Sequence, residues 1–231
     1  MAHARGSARA KKPATVPDDV RGRVLAAAVK LIEKDGLAAL SMREVARAAG
    51  VSHQAPYHYF EDRESILAAI AEEGFTVLAQ RLENAVDNTD DGPTERLAML
   101  ARVYVEFACD HPALFRVMFR PDFVDAERFP TMRSCGARAF DMLPVAVQAC
   151  IDAGLPPEPS VQSLIVLCWS MAHGLACLLL DGPLAMKLPD AVKERDALIR
   201  EVVDAMSALI EARIAQGRSS GRHRAAPKGQ R

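Results

Sequence analysis

The chain has 231 residues, half of them hydrophobic, which is enough apolar material for one large domain or two small ones. A formal net charge of −1 gives no bulk signal for or against nucleic acid, so any such signal must be local. Aromatic residues are only 5% and no alternating strand pattern of useful length occurs, so the pattern points to helices.

Residues 1–16 are small and basic, hold Pro13, and read as a disordered arm. Val20, Val24, Ala27, Ala28, Leu31 and Ile32 then recur at three- and four-residue steps. They predict a helix over 18–35, with Asp18 and Asp19 at its start and Gly36 at its stop. Ser41–Met42–Arg43–Glu44 has the form of a capping box: Ser41 accepts from the amide three residues on, and Glu44 reaches back. Met42, Val45, Ala46 and Ala49 give this second helix a short apolar face, and Gly50 supplies the left-handed residue of a sharp turn.

After Val51, Ser52 can cap a third helix whose first turn is His53, Gln54, Ala55 and Pro56. Proline costs little there, since first-turn amides lack an internal partner, but it pushes Ala55 away from helical geometry. Residues 41–60 therefore read as helix, tight turn, helix, and with the preceding helix they make a helix-turn-helix unit. Residues 61–87 predict a long helix with Ile66, Leu67, Ile70, Gly74, Phe75, Leu78 and Leu82 as its stripe. Further helices are expected at about 94–109, 111–120, 131–153, 159–180 and 190–216, with Pro144 kinking the third of these. Residues 217–231 read as a second disordered basic tail.

Five cysteines stand singly, with no CxxC pair, and read as buried thiols in a reducing cytoplasm. No signal peptide is visible. The run 163–180 approaches membrane-spanning length, but Trp169, His173 and Gly174 interrupt it, so a core or interface helix is expected rather than a membrane partner. There is no carboxylate pair, nucleophile–base arrangement or glycine-rich phosphate loop, and no cofactor or metal is expected. His53 and His58 are five apart, which is not the helical ligand pair a metal needs.

The segment LSMREVARAAGVSHQAPYHYFEDRESILAAI, residues 40–70, resembles the N-terminal domain of TetR-type bacterial transcriptional regulators. The features that carry it are the first helix, the Gly36 stop, the Ser41/Glu44 box, Ala49-Gly50-Val51-Ser52, Tyr57 and Tyr59-Phe60. Ala55-Pro56 replaces the usual small-polar or Gly-Thr/Ser-Leu step, and Arg63 stands where lysine is usual. Trp169, His173 and Gly174, after HPALFRVMF at 111–119, resemble a C-terminal subgroup named for its Trp-His-Gly motif. The resemblance implies an all-α fold: a helix-turn-helix DNA-binding domain at 17–64 and a helical effector-binding and dimerisation domain at 65–216. It implies a ligand-responsive cytoplasmic regulator, read as a repressor, that binds a near-palindromic double-stranded DNA operator as a homodimer. A small apolar effector would release it.

On this reading Ser52, His53 and Gln54 lie at the end that meets base edges, and Gln54 can bond adenine bidentately. Ala55 or Pro56 could touch a thymine methyl, while Tyr57 and His58 face phosphate or the groove wall. Tyr59 and Phe60 are expected to pack back on the bundle. Ser41 and Arg43 combine a helix N-terminus with a cation for phosphate, and Arg63 repeats this at the next helix. Lys11, Lys12 or Arg21 could reach a minor groove.

Trp169 and His173, four apart, offer an effector an apolar surface and a polar handle. Tyr104, Phe107, Phe115, Met118, Phe119 and Phe140 are further lining candidates, with core packing as the alternative for each. The dimer surface is placed on the last two long helices: Val161, Leu164, Ile165, Cys168, Leu175 and Leu179, then Leu198, Val202, Ala205, Leu209 and Ala212. The competing readings are an all-helical enzyme and an interaction module that keeps this shape without binding DNA specifically.

Overall fold

The computed structural model describes residues 20–87 and 92–224, with the side chains of 220–224 excepted. The basic arm, Asp18, Asp19 and the last seven residues lie outside the described residues. All regular structure among the described residues is helical. Helix α1 spans Val20–Asp35, α2 Met42–Ala49 and α3 Arg63–Asp87. Helix α4 spans Pro93–Asp110, α5 Pro112–Met118, α6 Pro130–Phe140 and α7 Met142–Asp152. Helix α8 spans Val161–Leu180, α9 Pro183–Lys187, α10 Pro189–Lys193 and α11 Arg195–Arg224.

Local chemistry sets the first boundaries. The Ser41 hydroxyl accepts from the Glu44 amide at 3.2 Å, which starts α2. The Glu44 carboxylate does not complete the box; it accepts from Arg47 instead, at 2.6 and 3.0 Å. Gly50 ends α2 at φ 66°, ψ 35°. There the Val51 amide donates to the Ala46 carbonyl at 3.1 Å and the Gly50 amide to that of Arg47 at 3.2 Å. This 6→1 and 5→2 pair is a Schellman stop, and it needs a residue at ease in the left-handed region.

Packing sets the rest. Val24, Ala28 and Ile32 of α1, Met42 and Val45 of α2, Phe60, and Ile66, Leu67 and Ile70 of α3 form one buried core. That core continues along α3 through Leu78, Ala79 and Leu82 to Leu97, Leu100 and Phe107 of α4 and Leu114 and Val117 of α5. Where α3 crosses α5, a Cβ on Gly74 would lie 2.6 Å from Met118 Sδ and 3.2 Å from Leu114 Cβ, so the two helices close over a bare backbone. A smaller second core joins α4, α8 and α11 through Ala101, Val105, Ala172, Ile199, Val203 and Met206.

Three expectations change and a fourth narrows. The kink placed at Pro144 is a break at Asp141; Pro144 falls in the first turn of α7, where its missing amide costs no hydrogen bond. The single helix expected over 190–216 is two pieces, because Pro189 opens α10 and Glu194, at φ −107° and ψ 47°, separates it from α11. Helix α11 runs on to Arg224, past the expected start of the tail, and Arg218 Nε donates to the Ala153 carbonyl at 2.8 Å. Finally, α8 is long and apolar enough to cross a membrane by length and composition, yet only Leu164, Ala172 and Ala176 of it are buried. In one chain it is half covered, which sets aside the core alternative and leaves the interface one open.

The turn geometry predicts a stability order. Gly50→Ala, forced into the left-handed region, is expected to cost about 1–2 kcal/mol, and Ser41→Ala about 1 kcal/mol. Urea titrations of the two variants should show lower midpoints with an unchanged slope.

Candidate nucleic-acid interface and effector cavity

The segment after Gly50 is tighter than a regular helix. Ala55 donates to Ser52, Tyr57 to Gln54 and Tyr59 to Pro56, all i→i−3, at 3.0–3.1 Å, and residues Ala55–His58 form a 3₁₀ turn. Pro56 explains this: it has no amide to offer a longer ladder, and it restricts Ala55. Its ring is buried, which removes it from any thymine methyl, and Ala55 is half-buried. The Ser52 carbonyl, rather than a side-chain cap, is what receives the Ala55 amide.

The outward set is Ser52, His53, Gln54, Tyr57 and His58, all exposed, with the His53 and Tyr57 rings 6.0 Å apart. Ser41 and Arg43 are exposed at the start of α2. Phe60 packs inward as expected, under the Arg21 guanidinium at 5.5 Å, whereas Tyr59 is half exposed. Arg63 departs from its expected place. Its guanidinium donates to the Leu37 carbonyl at 2.6 Å and lies 5.1 Å from the Phe123 ring, turned to the protein rather than outward. Asp62 and Ser65 start α3 with a reciprocal cap: the Ser65 amide donates to Asp62 Oδ1 at 2.8 Å and the Asp62 amide to Ser65 Oγ at 3.1 Å. Sequence reading passed over this D-x-x-S box, although its spacing carries the same signal as Ser41/Glu44.

The second site is a half-open cavity of about 80 Å³ lined by α3, α4, α6, α7, α8 and α11. Phe75, Leu78 and Leu82 come from α3, and Leu97, Leu100, Ala101 and Tyr104 from α4. Phe119, Gly136, Ala139, Phe140, Met142, Leu143, Cys168, Trp169, Ala172 and Met206 complete the wall, and no charged side chain is part of it. Of the expected lining, Tyr104, Phe119, Phe140 and Trp169 are present. Phe107, Phe115 and Met118 are not: Phe107 stacks 5.2 Å from His111, Phe115 backs His173 at 5.4 Å, and Met118 fills the space over Gly74. His173 sits behind the wall, edge-on to Phe119 at 5.0 Å. The leucines of α3 and α4 were missed because their spacing is that of any core stripe.

A short relay links the polar groups. Trp169 Nε1 donates to the Tyr104 oxygen at 3.4 Å, and the Tyr104 hydroxyl lies 2.8 Å from His173 Nδ1. An indole can only donate, so the tyrosine oxygen accepts from it, and a second hydrogen bond joins that oxygen to Nδ1. Burial pushes the Tyr104 phenol well above its usual value and holds His173 below its own. The site therefore resists charge of either sign.

Comparison with known proteins agrees with both halves. The family model described as "Bacterial regulatory proteins, tetR family" matches residues 24–70, and the one described as "Tetracyclin repressor-like, C-terminal domain" matches residues 97–206. The chain belongs to the TetR family of bacterial transcriptional regulators. Among TetR-family relatives, the HTH-type transcriptional regulator EthR of Mycolicibacterium smegmatis is 26% identical over 99 residues, 43% of this chain and 46% of that protein. BetI of Rhizobium meliloti is 33% identical over 94 residues, 40% of this chain and 45% of that protein. The chain thus spans under half the length of these curated relatives. A solved structure of a protein of unknown function from Rhodococcus sp. RHA1 is 32% identical, with a TM-score of 0.68 over 87% of this chain and 97% of that one.

The relay of this TetR-family chain predicts a pH response. The folded-state value of His173 lies below its ordinary 6.5, so at acid pH the unfolded chain binds the extra proton more readily. The stability from neutral His173 is present above pH 6.5 and lost as pH falls through the lower folded value. Thermal melts should show His173→Gln with a flatter decline than the parent below pH 6.5. Parallel declines would remove the histidine from this role.

Proposed function

We propose that the protein is a ligand-responsive transcriptional repressor that binds a near-palindromic operator as a homodimer and is released by a small, uncharged, apolar effector. The observation that carries this reading is that α3 serves both sites. Its first turns hold the core of the helix-turn-helix, and its Phe75, Leu78 and Leu82 wall the cavity. A ligand that prefers a different setting of α3 would shift the population away from the DNA-competent state.

In this reading Gln54 and His53 meet base edges, Ser52 and Ala55 flank them, and Tyr57 and His58 approach phosphate. Ser41 and Arg43 clamp the backbone of the neighbouring strand. Arg63 holds the head from within. Tyr104, Phe140 and Trp169 line the effector site, with His173 tuning it from behind. The Trp-His-Gly subgroup rests on Trp169, His173 and Gly174 alone.

Support for the dimer comes from the outer faces of α8 and α11. Val166, Leu167 and Leu178 on α8 and Leu209 on α11 are exposed, beside exposed Ala205, Ala208 and Ala212. The set expected on α8 is the other face: Leu164 is buried, and Ile165, Cys168, Leu175 and Leu179 pack into the two cores. Two copies related by a two-fold axis would cover the outer faces and place two reading heads about 34–36 Å apart, one turn of DNA.

Genomic DNA selection with the purified chain should enrich one near-palindrome. Gln54→Ala should weaken binding to it by about 1–3 kcal/mol and relax one position. Arg43→Ala should weaken all sequences alike and lower the salt slope by about 1. Enrichment of no sequence above background would sink the regulator reading. Sedimentation of the double variant Val166→Asp/Leu209→Asp should give monomers; a retained dimer would move the interface elsewhere.

A further inference from the structure

The segment between α5 and α6 is tied to the start of α3 by one guanidinium. Arg128 lies 2.6 Å from Glu64, 2.8 Å from Asp62 and 3.0 Å from Glu61. The Asp125 amide donates to the other Glu64 oxygen at 2.9 Å, so both oxygens of that carboxylate are engaged by the same segment. Phe129 lies under Arg128 at 5.1 Å. Phe123, also on this segment, lies between Arg120 at 4.8 Å and Arg63 at 5.1 Å, and Arg63 reaches the Leu37 carbonyl just ahead of α2. At its other ends the segment is continuous with the cavity. Phe119 precedes it, and α6, which follows it, supplies Gly136, Ala139 and Phe140 to the wall.

We infer that Arg128 is a positioning residue through which the state of the cavity reaches the helix-turn-helix. The inference rests on the proposed reading that the cavity takes an effector. A group that displaces α6 draws Arg128 with it. The three carboxylates at the start of α3 then lose their shared cation, and the Phe123–Arg63–Leu37 chain loses its support.

The energetics favour a switch over a brace. Exposed ion pairs each contribute little to stability, and carboxylates at a helix N-terminus are tolerated by its dipole. Opening the clasp therefore costs the fold little. It does leave three negative charges beside a surface meant for phosphates, which opposes DNA.

The test is a mutational cycle on the whole chain, read by amide hydrogen exchange of residues 41–60. Ala139→Leu, which adds bulk inside the cavity on α6, should change that exchange by about 5-fold or more. The same substitution in an Arg128→Gln background should leave it within about 1.5-fold, well under the smallest coupling of that kind. Arg128→Lys should restore part of the response. Phe140→Trp replaces Ala139→Leu if the latter does not fold, and thermal melts show which variants are folded. An equal response in both backgrounds, or none to either cavity substitution, overturns the inference. Binding of a selected genomic fragment is measured in parallel. If the parent chain binds no fragment, the regulator reading fails, while the exchange cycle still decides the clasp.

Discussion

Helix α3 has no internal break, and its buried stripe passes from Ile66 and Ile70 at one end to Leu78 and Leu82 at the other. Burying each such side chain contributes about 1.5–3 kcal/mol, so neither end can let go cheaply. The bare backbone at Gly74 adds a steric limit midway along it, where α5 presses on the helix. A rod held this way moves as a unit, because close-packed contacts shift between discrete arrangements more readily than they stretch. The proposed coupling along α3 depends on that rigidity.

Around the rod the two sites are built from opposite materials. The reading head is polar, exposed and stopped sharply by Gly50, with a 3₁₀ turn where a longer helix was expected. The cavity is apolar, and its few polar atoms are spent on one another through Trp169, Tyr104 and His173. Burial keeps Tyr104 protonated and His173 neutral, so neither offers a full charge to a ligand. If the cavity takes an effector, as proposed, selectivity there would come from shape, aromatic edges and the cost of burying any charged group.

How much of this was legible in the sequence follows from the range of each signal. Ser41, Gly36, Gly50 and the prolines act within a few residues, and the helices they bound stand close to where the sequence puts them. Pro56 gave its warning through Ala55, and the 3₁₀ turn is the result. Longer-range facts were not legible. Tyr104 and Phe107 are three residues apart on α4, yet one reaches the cavity and the other packs against His111. Leu78 and Leu97 read as ordinary core because lining and core share one spacing. Arg63 was placed by its position at a helix start, but the Leu37 carbonyl and the Phe123 ring, distant in sequence, decided its direction.

The chain contains one tryptophan, and it is Trp169. Its indole meets Phe140 edge-on at 5.6 Å, lies 6.2 Å from Phe119 and donates to Tyr104. The indole emission of the protein therefore comes from one point on the cavity wall. A shift in its colour or a loss of its intensity would report polarity and quenching at that point alone. The fold has placed its own optical reporter on the wall of that cavity.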